Sequence, residues 1–336
     1  MKIGIVGLPN AGKSSLFNLL TKANAQVAKF PFTTIDRNVG MVMIHDERFD
    51  RIIEILKPAK ATPAAIEFVD IAGLIKGASK GEGLGNQFLS HIRDVDIIVH
   101  LLRCFEAADI PLGHSEMQID PLRDYDIVRT ELMLGDLDLV ERRLDKIKKK
   151  FEVKEEFDKL TKIKESLAKG QVPQSTVPDL PLLSTKQEII VLNLDEDGAF
   201  QTPIQGYRMS VKLEEDICDF DEKEKTELRV SGKLEPGALF GLVKLCMERL
   251  SAISFYTIKG EETRAWIIRK GTKVIDAAGM IHSDLKEGFI KAEILDFDGF
   301  VKDRGFTQAQ HLGHTKIEGK EYIVKDGDIV LIKFRG

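Results

Sequence analysis

The chain has 336 residues, 43% of them hydrophobic and 31% charged, and a net charge of −5. That length exceeds one ordinary core and implies two or three domains. The charge excludes a chain-long polycation for nucleic acid, leaving only local basic faces. Cys104, Cys218 and Cys246 are few and scattered, which excludes a disulfide framework and fits a reducing cytoplasm. No run of about 18 apolar residues occurs, so no membrane helix is expected.

The elements follow in chain order. Lys2–Val6 is a short apolar run ending in a glycine loop, and reads as a strand and not as a signal peptide. From Ser14 to Leu20 the apolar spacing is helical. Residues 65–71 and 96–102 are near-continuous apolar runs, as expected of strands buried on both faces of a parallel sheet. Strand, loop and helix in alternation predict a doubly wound α/β sheet. Between 122 and 170 leucines recur at helical spacing around the basic run Lys146–Lys150, which predicts an inserted helical hairpin with charged outer faces. Pro173, Pro178 and Pro181 mark a linker back to the sheet, and residues 189–193 form a further buried strand. Beyond about residue 253, residues 257–268, 271–281, 290–297 and 322–334 read as short strands of a small α+β domain, with 324–330 as a turn. The expected domains are 1–121 with 182–252, then 122–181, then 253–336.

Gly7-Leu8-Pro9-Asn10-Ala11-Gly12-Lys13-Ser14 fits G-x-x-x-x-G-K-[ST]. The glycines let backbone N–H groups at Asn10, Ala11, Gly12 and on to Ser15 surround phosphate oxygens. Lys13 reaches the β- and γ-phosphates, and the Ser14 hydroxyl suits Mg²⁺. Asp70-Ile71-Ala72-Gly73 ends a strand. Asp70 is placed for Mg²⁺ and the Gly73 N–H for the γ-phosphate. Leu74 stands where a Ras-like enzyme has the Gln that orients water, so another group or slow turnover is expected; His114 is a candidate. Thr34 is the candidate switch threonine for Mg²⁺, and the glycine-rich segment 75–85 reads as a second switch loop.

The base loop is the informative departure. Guanine needs a carboxylate to accept from N1–H and the 2-amino group, usually the Asp of N-K-x-D. Here the order is Asn193-Leu194-Asp195-Glu196, with Leu for Lys and the longer Glu196 at the Asp position. A displaced carboxylate weakens guanine discrimination and makes ATP use plausible. Met209, Ser210 and Val211 are expected to complete the base pocket.

Together G-L-P-N-A-G-K-S, F-P-F-T-T-I-D, D-I-A-G-L-I-K-G-A-S-K-G-E-G-L-G-N and N-L-D-E-D-G closely resemble the YchF-type Obg-like ATPases. R-A-W at 264–266, the run at 281–293 and Y-I-V-K-D-G-D at 322–328 resemble that family's C-terminal TGS domain. The resemblance covers essentially the whole chain. It implies a P-loop domain, an inserted coiled-coil hairpin and a β-grasp-like TGS domain. It also implies ATP hydrolysis in preference to GTP with Mg²⁺, a hydrophobic replacement at Leu74, a loop histidine at His114, and association with the ribosome or its RNA. Asn10 occupies a position that helps bind K⁺ in related translation GTPases. One departure from the family stands out: its members carry a helix after the base loop, whereas only about a dozen residues separate Asp197 from Ser210 here, so a trimmed base pocket is expected. The expectation is a cytoplasmic, monomeric nucleotide switch. Its rivals are a ribosome- or RNA-binding module holding nucleotide as a structural ligand, and a strict GTPase.

Overall fold

The structure is a computed structural model that describes residues 1–25, 38–71, 84–106, 118–147 and 154–335. In chain order they form β1 (Lys2–Val6), α1 (Lys13–Ala25), β2 (Val39–Met43), α2 (Glu47–Leu56), β3 (Lys60–Thr62), β4 (Ala65–Asp70), α3 (Leu84–Arg93), β5 (Ile97–Cys104), α4 (Pro121–Ile147) and α5 (Lys154–Ala168). There follow β6 (Glu188–Leu194), β7 (Tyr207–Met209), α6 (Val211–Asp216), α7 (Glu222–Ser231), α8 (Ala238–Arg249), β8 (Ala252–Lys259) and β9 (Glu262–Arg269). The chain ends with α9 (Val274–Ile281), α10 (Ser283–Glu287), β10 (Phe289–Leu295), α11 (Phe297–Lys302), α12 (Phe306–His311), β11 (Lys316–Glu318) and β12 (Ile329–Phe334). Contacts divide the chain into two compact units. One is built mainly on Met1–Ala23 and Glu67–Leu242, the other on Met41–Ile66 and Val243–Gly336. Among the described residues no helix is long and apolar enough to cross a membrane.

The first unit is a six-stranded sheet in the order β2-β4-β1-β5-β6-β7. β1 runs parallel to β4 and β5, and β6 parallel to β5 and β7. All eight residues of β5 are buried, as a central strand covered on both faces requires. The chain leaves β1 for β4 on one side and continues through β5 on the other. β1 and β5 therefore flank the topological switch point, where open α/β sheets bind ligands.

α3 and α4 pack on this sheet through Phe88, Leu89, Ile92, Val128 and Leu132, which share a core with Val6, Ile71 and Ile98. Gly135 sits inside α4, where it costs about 1 kcal/mol relative to Ala. Close approach of α3 explains it, because a Cβ there would lie 2.8 Å from Leu89 Cδ1. α4 and α5 form the expected antiparallel pair, sealed by Val140, Leu144, Ile147, Leu160, Ile163 and Leu167. Lys148, Lys149 and Lys150 of the basic run lie outside the described residues. Asp136, fully buried on α4, accepts from the N–H groups of Leu183 and Ser184 at 2.7 and 2.8 Å and ties the returning linker to the helix. Buried His100 bonds Glu188 at 2.7 Å and stacks on Tyr125 of α4.

The second unit has the strand order β11-β10-β12-β8-β9-β3. β8 and β9 form a hairpin, β12 pairs parallel with β8, and β10 pairs antiparallel with β12 and β11. β8 and the last strand, β12, thus lie side by side and parallel within a mixed sheet. The sequence reading of residues 271–281 as a strand is corrected here. Val274–Ile281 is helix α9, which buries Val274, Ala277 and Ala278 at helical spacing against Phe255, Ile268 and Val330. The run 257–268 is two strands folded at Gly260, at φ +59°. Strand β12 begins only at Ile329, after the turn at Gly327.

Segment 41–66 was unanticipated in this unit. Its β3 extends the sheet beside β9. Arg48 donates to Asp326 at 3.0 and 3.1 Å, and Tyr256 donates to Asp46 at 2.6 Å. Asp326 in turn accepts from the Ser254 N–H at 2.9 Å.

Candidate functional site

The loop after β1 is built from conformations that require its sequence. Gly7 has φ +153°, Asn10 +64° and Gly12 +95°. A Cβ on Gly7 would stand 2.4 Å from the Leu101 carbonyl, and one on Gly12 2.5 Å from Asn193 Nδ2. Glycine at both positions is therefore a matter of space as well as φ. α1 starts immediately after, with the Leu16 N–H donating to the Gly12 carbonyl at 2.9 Å. The loop thus delivers the positive end of a helix dipole to the cavity.

Lys13 is buried, and its Nζ donates to the Leu8 carbonyl at 2.8 Å. Burial pushes its ammonium below the usual lysine range, against the opposing charge of Asp70. Ser14 Oγ donates to Asp70 Oδ2 at 2.7 Å. The other carboxylate oxygen, Asp70 Oδ1, is buried and has no hydrogen-bond partner among the described residues. A hydroxyl oxygen beside an unsatisfied buried carboxylate oxygen is a hard-oxygen donor set of the kind Mg²⁺ takes.

From Lys13 and Ser14 a cavity of about 880 Å³ runs over Asn193. Asn10, Gly12 and Ser15 line it with them. At its far end it is lined by Phe105, Asp195, Glu196, Asp197 and the α6 residues Val211, Lys212 and Glu215. Phe105 carries the Arg103 guanidinium 4.8 Å from its ring centroid. Asn193 is engaged at both ends of its amide. Its Nδ2 donates to the Ala11 carbonyl at 3.0 Å, and its Oδ1 accepts from the Val211 N–H at 3.0 Å. The side chain therefore staples the phosphate loop to the start of α6.

The residues singled out from sequence fall into three groups. Asn10, Gly12, Lys13, Ser14, Ser15, Asn193, Glu196 and Val211 all line the cavity, and Asp70 joins them through Ser14. Ala11 contributes its carbonyl to Asn193. Met209 and Ser210 are buried behind the wall, where Ser210 caps α6 by accepting from the Leu213 N–H at 3.2 Å. Thr34, Gly73, Leu74 and His114 lie outside the described residues, as does most of the second switch segment. Sequence reasoning missed Phe105 and Glu106, which directly follow β5. The rule that ligands sit beyond the carboxyl ends of parallel strands points to them. Lys212 and Glu215 carry no comparable signal.

A phosphate loop between the first strand of a parallel sheet and its helix, with a serine–aspartate pair at its mouth, defines a P-loop nucleotide-binding domain. Residues 2–133 match a family model described as 50S ribosome-binding GTPase, and residues 252–335 match YchF-GTPase_C, described as a protein of unknown function. The chain is 38% identical over 361 residues to the ribosome-binding ATPase YchF of Bacillus subtilis, covering 98% of each chain. It is 38% identical over 360 residues to the protein of that name from Escherichia coli O157:H7, covering 99% of each. The solved structure of the Schizosaccharomyces pombe YchF GTPase superposes with a TM-score of 0.83 at 33% identity, over 99% of this chain and 97% of that one. The chain belongs to the YchF family.

Proposed function

We propose that this protein is a Mg²⁺-dependent nucleoside triphosphatase that prefers ATP to GTP and acts as a switch on or near the ribosome. The observation that carries the reading is the Lys13, Ser14 and Asp70 constellation at the mouth of the cavity. Lys13 would leave the Leu8 carbonyl for the β- and γ-phosphate oxygens, regaining a counter-charge for its buried ammonium. Ser14 and Asp70 would hold Mg²⁺, which supplies charge neutralisation across the β- and γ-phosphates. Thr34, the Gly73 N–H and His114 complete the reading at the γ-phosphate, and Leu74 accounts for slow turnover. K⁺ beside Asn10 is its finest part, and equal turnover in K⁺ and Na⁺ removes it.

The ATP preference rests on the far end. The Asn193 amide is taken by Ala11 and Val211. Leu194, at the usual lysine position, is buried. Glu196, at the usual aspartate position, lines the cavity together with Leu194 and Asp195. A GTPase is the second reading, favoured by the successive carboxylates Asp195, Glu196 and Asp197 on the wall, which are acceptors for guanine's donors. The relatives' own names divide the same way, between ATPase and GTPase. The ribosome enters through the bacterial relatives, which are named ribosome-binding. The α4–α5 hairpin as a distinct module and the C-terminal unit as a TGS domain belong to the same proposal.

Phosphate release from ATP and GTP, with Mg²⁺ and with EDTA, tests the catalytic part. Faster Mg²⁺-dependent release from ATP is expected, falling about 10²-fold in Lys13→Ala. Sedimentation with ribosomes in ATP, ADP and no nucleotide tests the switch. Binding that ignores nucleotide would make the protein a binding module instead.

A further inference from the structure

α7 and the turn after it take no part in phosphate binding, yet they brace both walls of the cavity's far end. One wall is the turn after β6 that carries Glu196, and the other is α6 with Lys212 and Glu215. Residues 195–206 contain no helix or strand, so the first wall has no regular element in its own connection to rest on. It rests on the end of α7. A Cβ on Gly198 would lie 2.0 Å from the Gly232 carbonyl oxygen, and a Cβ on Gly232 would lie 2.3 Å from that of Glu196. The two backbones are in contact with no room for a side chain between them.

Arg208, on β7, ties these two turns together. Its Nη2 donates to the Gly198 carbonyl at 2.7 Å and its Nε to the Lys233 carbonyl at 3.2 Å. Its own carbonyl accepts from the Glu235 N–H at 2.8 Å. The second wall is tied to the same helix by Arg229, which meets Glu214 of α6 through two bonds of 2.8 Å. A planar guanidinium can serve two carbonyls at a fixed spacing, whereas an ammonium on a flexible stem sets no such spacing.

We infer that Arg208 is a positioning residue for base recognition: it fixes the Glu196 wall relative to the α6 wall, and so sets base affinity and the choice between ATP and GTP. The inference rests on the nucleotide reading above. It assigns no contact between Arg208 and the nucleotide.

The test is calorimetric titration of the full chain, Arg208→Gln and Arg208→Lys with ATP, GTP and inorganic tripolyphosphate, all with Mg²⁺. Tripolyphosphate has no base and reports on the phosphate end alone. The expected result is nucleotide binding about tenfold weaker in Arg208→Gln, with the ATP-to-GTP affinity ratio moved toward one and tripolyphosphate changed less than about twofold. Arg208→Lys keeps the charge and reaches one carbonyl, so it should fall between. If Arg208→Gln does not fold, Arg208→Lys decides. Unchanged nucleotide affinity and ratio overturn the inference. So does an equal loss for tripolyphosphate, which would make Arg208 a general structural residue. A wild-type chain that binds tripolyphosphate but neither nucleotide overturns the underlying nucleotide reading, and the two failures are thereby told apart.

Discussion

Replacing Asn193 by Ala removes the staple between the phosphate loop and α6. The Ala11 carbonyl and the Val211 N–H, each held at 3.0 Å, are released together. A buried polar group left unpaired costs about 1–3 kcal/mol, so the pair sets a range of about 2–6 kcal/mol. Asn193 and Val211 line a cavity of about 880 Å³, so water can enter the space that the amide vacates. That favours the lower end, about 2–3 kcal/mol. The same free energy bounds the effect on ligand binding. A loop that must be re-ordered by its ligand loses affinity by at most the free energy of ordering, which at about 2 kcal/mol is about 30-fold. Unfolding should be followed by far-UV circular dichroism, because the single tryptophan, Trp266, lies in the other unit. Calorimetry with Mg²⁺ and ATP gives the affinity. A stability change under about 0.5 kcal/mol together with unchanged affinity would refute the staple.

Three further outcomes follow from the geometry. Glu214→Gln leaves buried Arg229 with only the exposed Glu222, at 3.9 Å, as counter-charge and should destabilise the first unit by up to about 3–5 kcal/mol, whereas replacing both Glu214 and Arg229 by Leu should recover much of that; denaturant midpoints decide. Tyr256→Phe removes the 2.6 Å bond to Asp46, and should cost about 1.5–3 kcal/mol in an unfolding transition read from Trp266 fluorescence. Lys13 has its folded-state pKa lowered from 10.5, chiefly by burial. Between that lowered value and 10.5 the unfolded chain binds more protons, so the Lys13 contribution to stability rises with pH across that window and is a constant penalty below it. Triphosphate binding restores a counter-charge, so it should take up protons in that window, seen as a binding enthalpy that depends on buffer ionisation. The absence of uptake at every pH below 10.5 would contradict the placement of Lys13 on phosphate.

How much of this was legible in the sequence depends on the range of the interaction. β1, β5 and β6 are buried on both faces and announced themselves as continuous apolar runs. The phosphate loop was legible because glycine is required at Gly7 and Gly12 by φ and space together. The hairpin was legible because its seam repeats at helical spacing. Residues 271–281 were misread because Val274, Ile275 and Ile281 suit strands, while the burial of Val274, Ala277 and Ala278 follows a helix. Segment 41–66 was illegible as part of the C-terminal unit, since nothing local in Arg48 points to Asp326. At the site, Asn193 was legible as a base-loop residue, but the hold of protein on both ends of its amide was not. Its partners are distant in sequence, and only the folded chain brings them together.

The Lys13, Ser14 and Asp70 mouth is proposed to receive a Mg²⁺-bound triphosphate whose base lies toward Glu196. This is tested most directly by titrating the nucleotide-free full chain with ATP and GTP in a calorimeter, once in Mg²⁺ and once in EDTA. Tighter binding of ATP than of GTP is expected, with weaker binding of both when Mg²⁺ is withheld. Tighter binding of GTP would contradict the ATP preference, and binding of neither would contradict the nucleotide site itself.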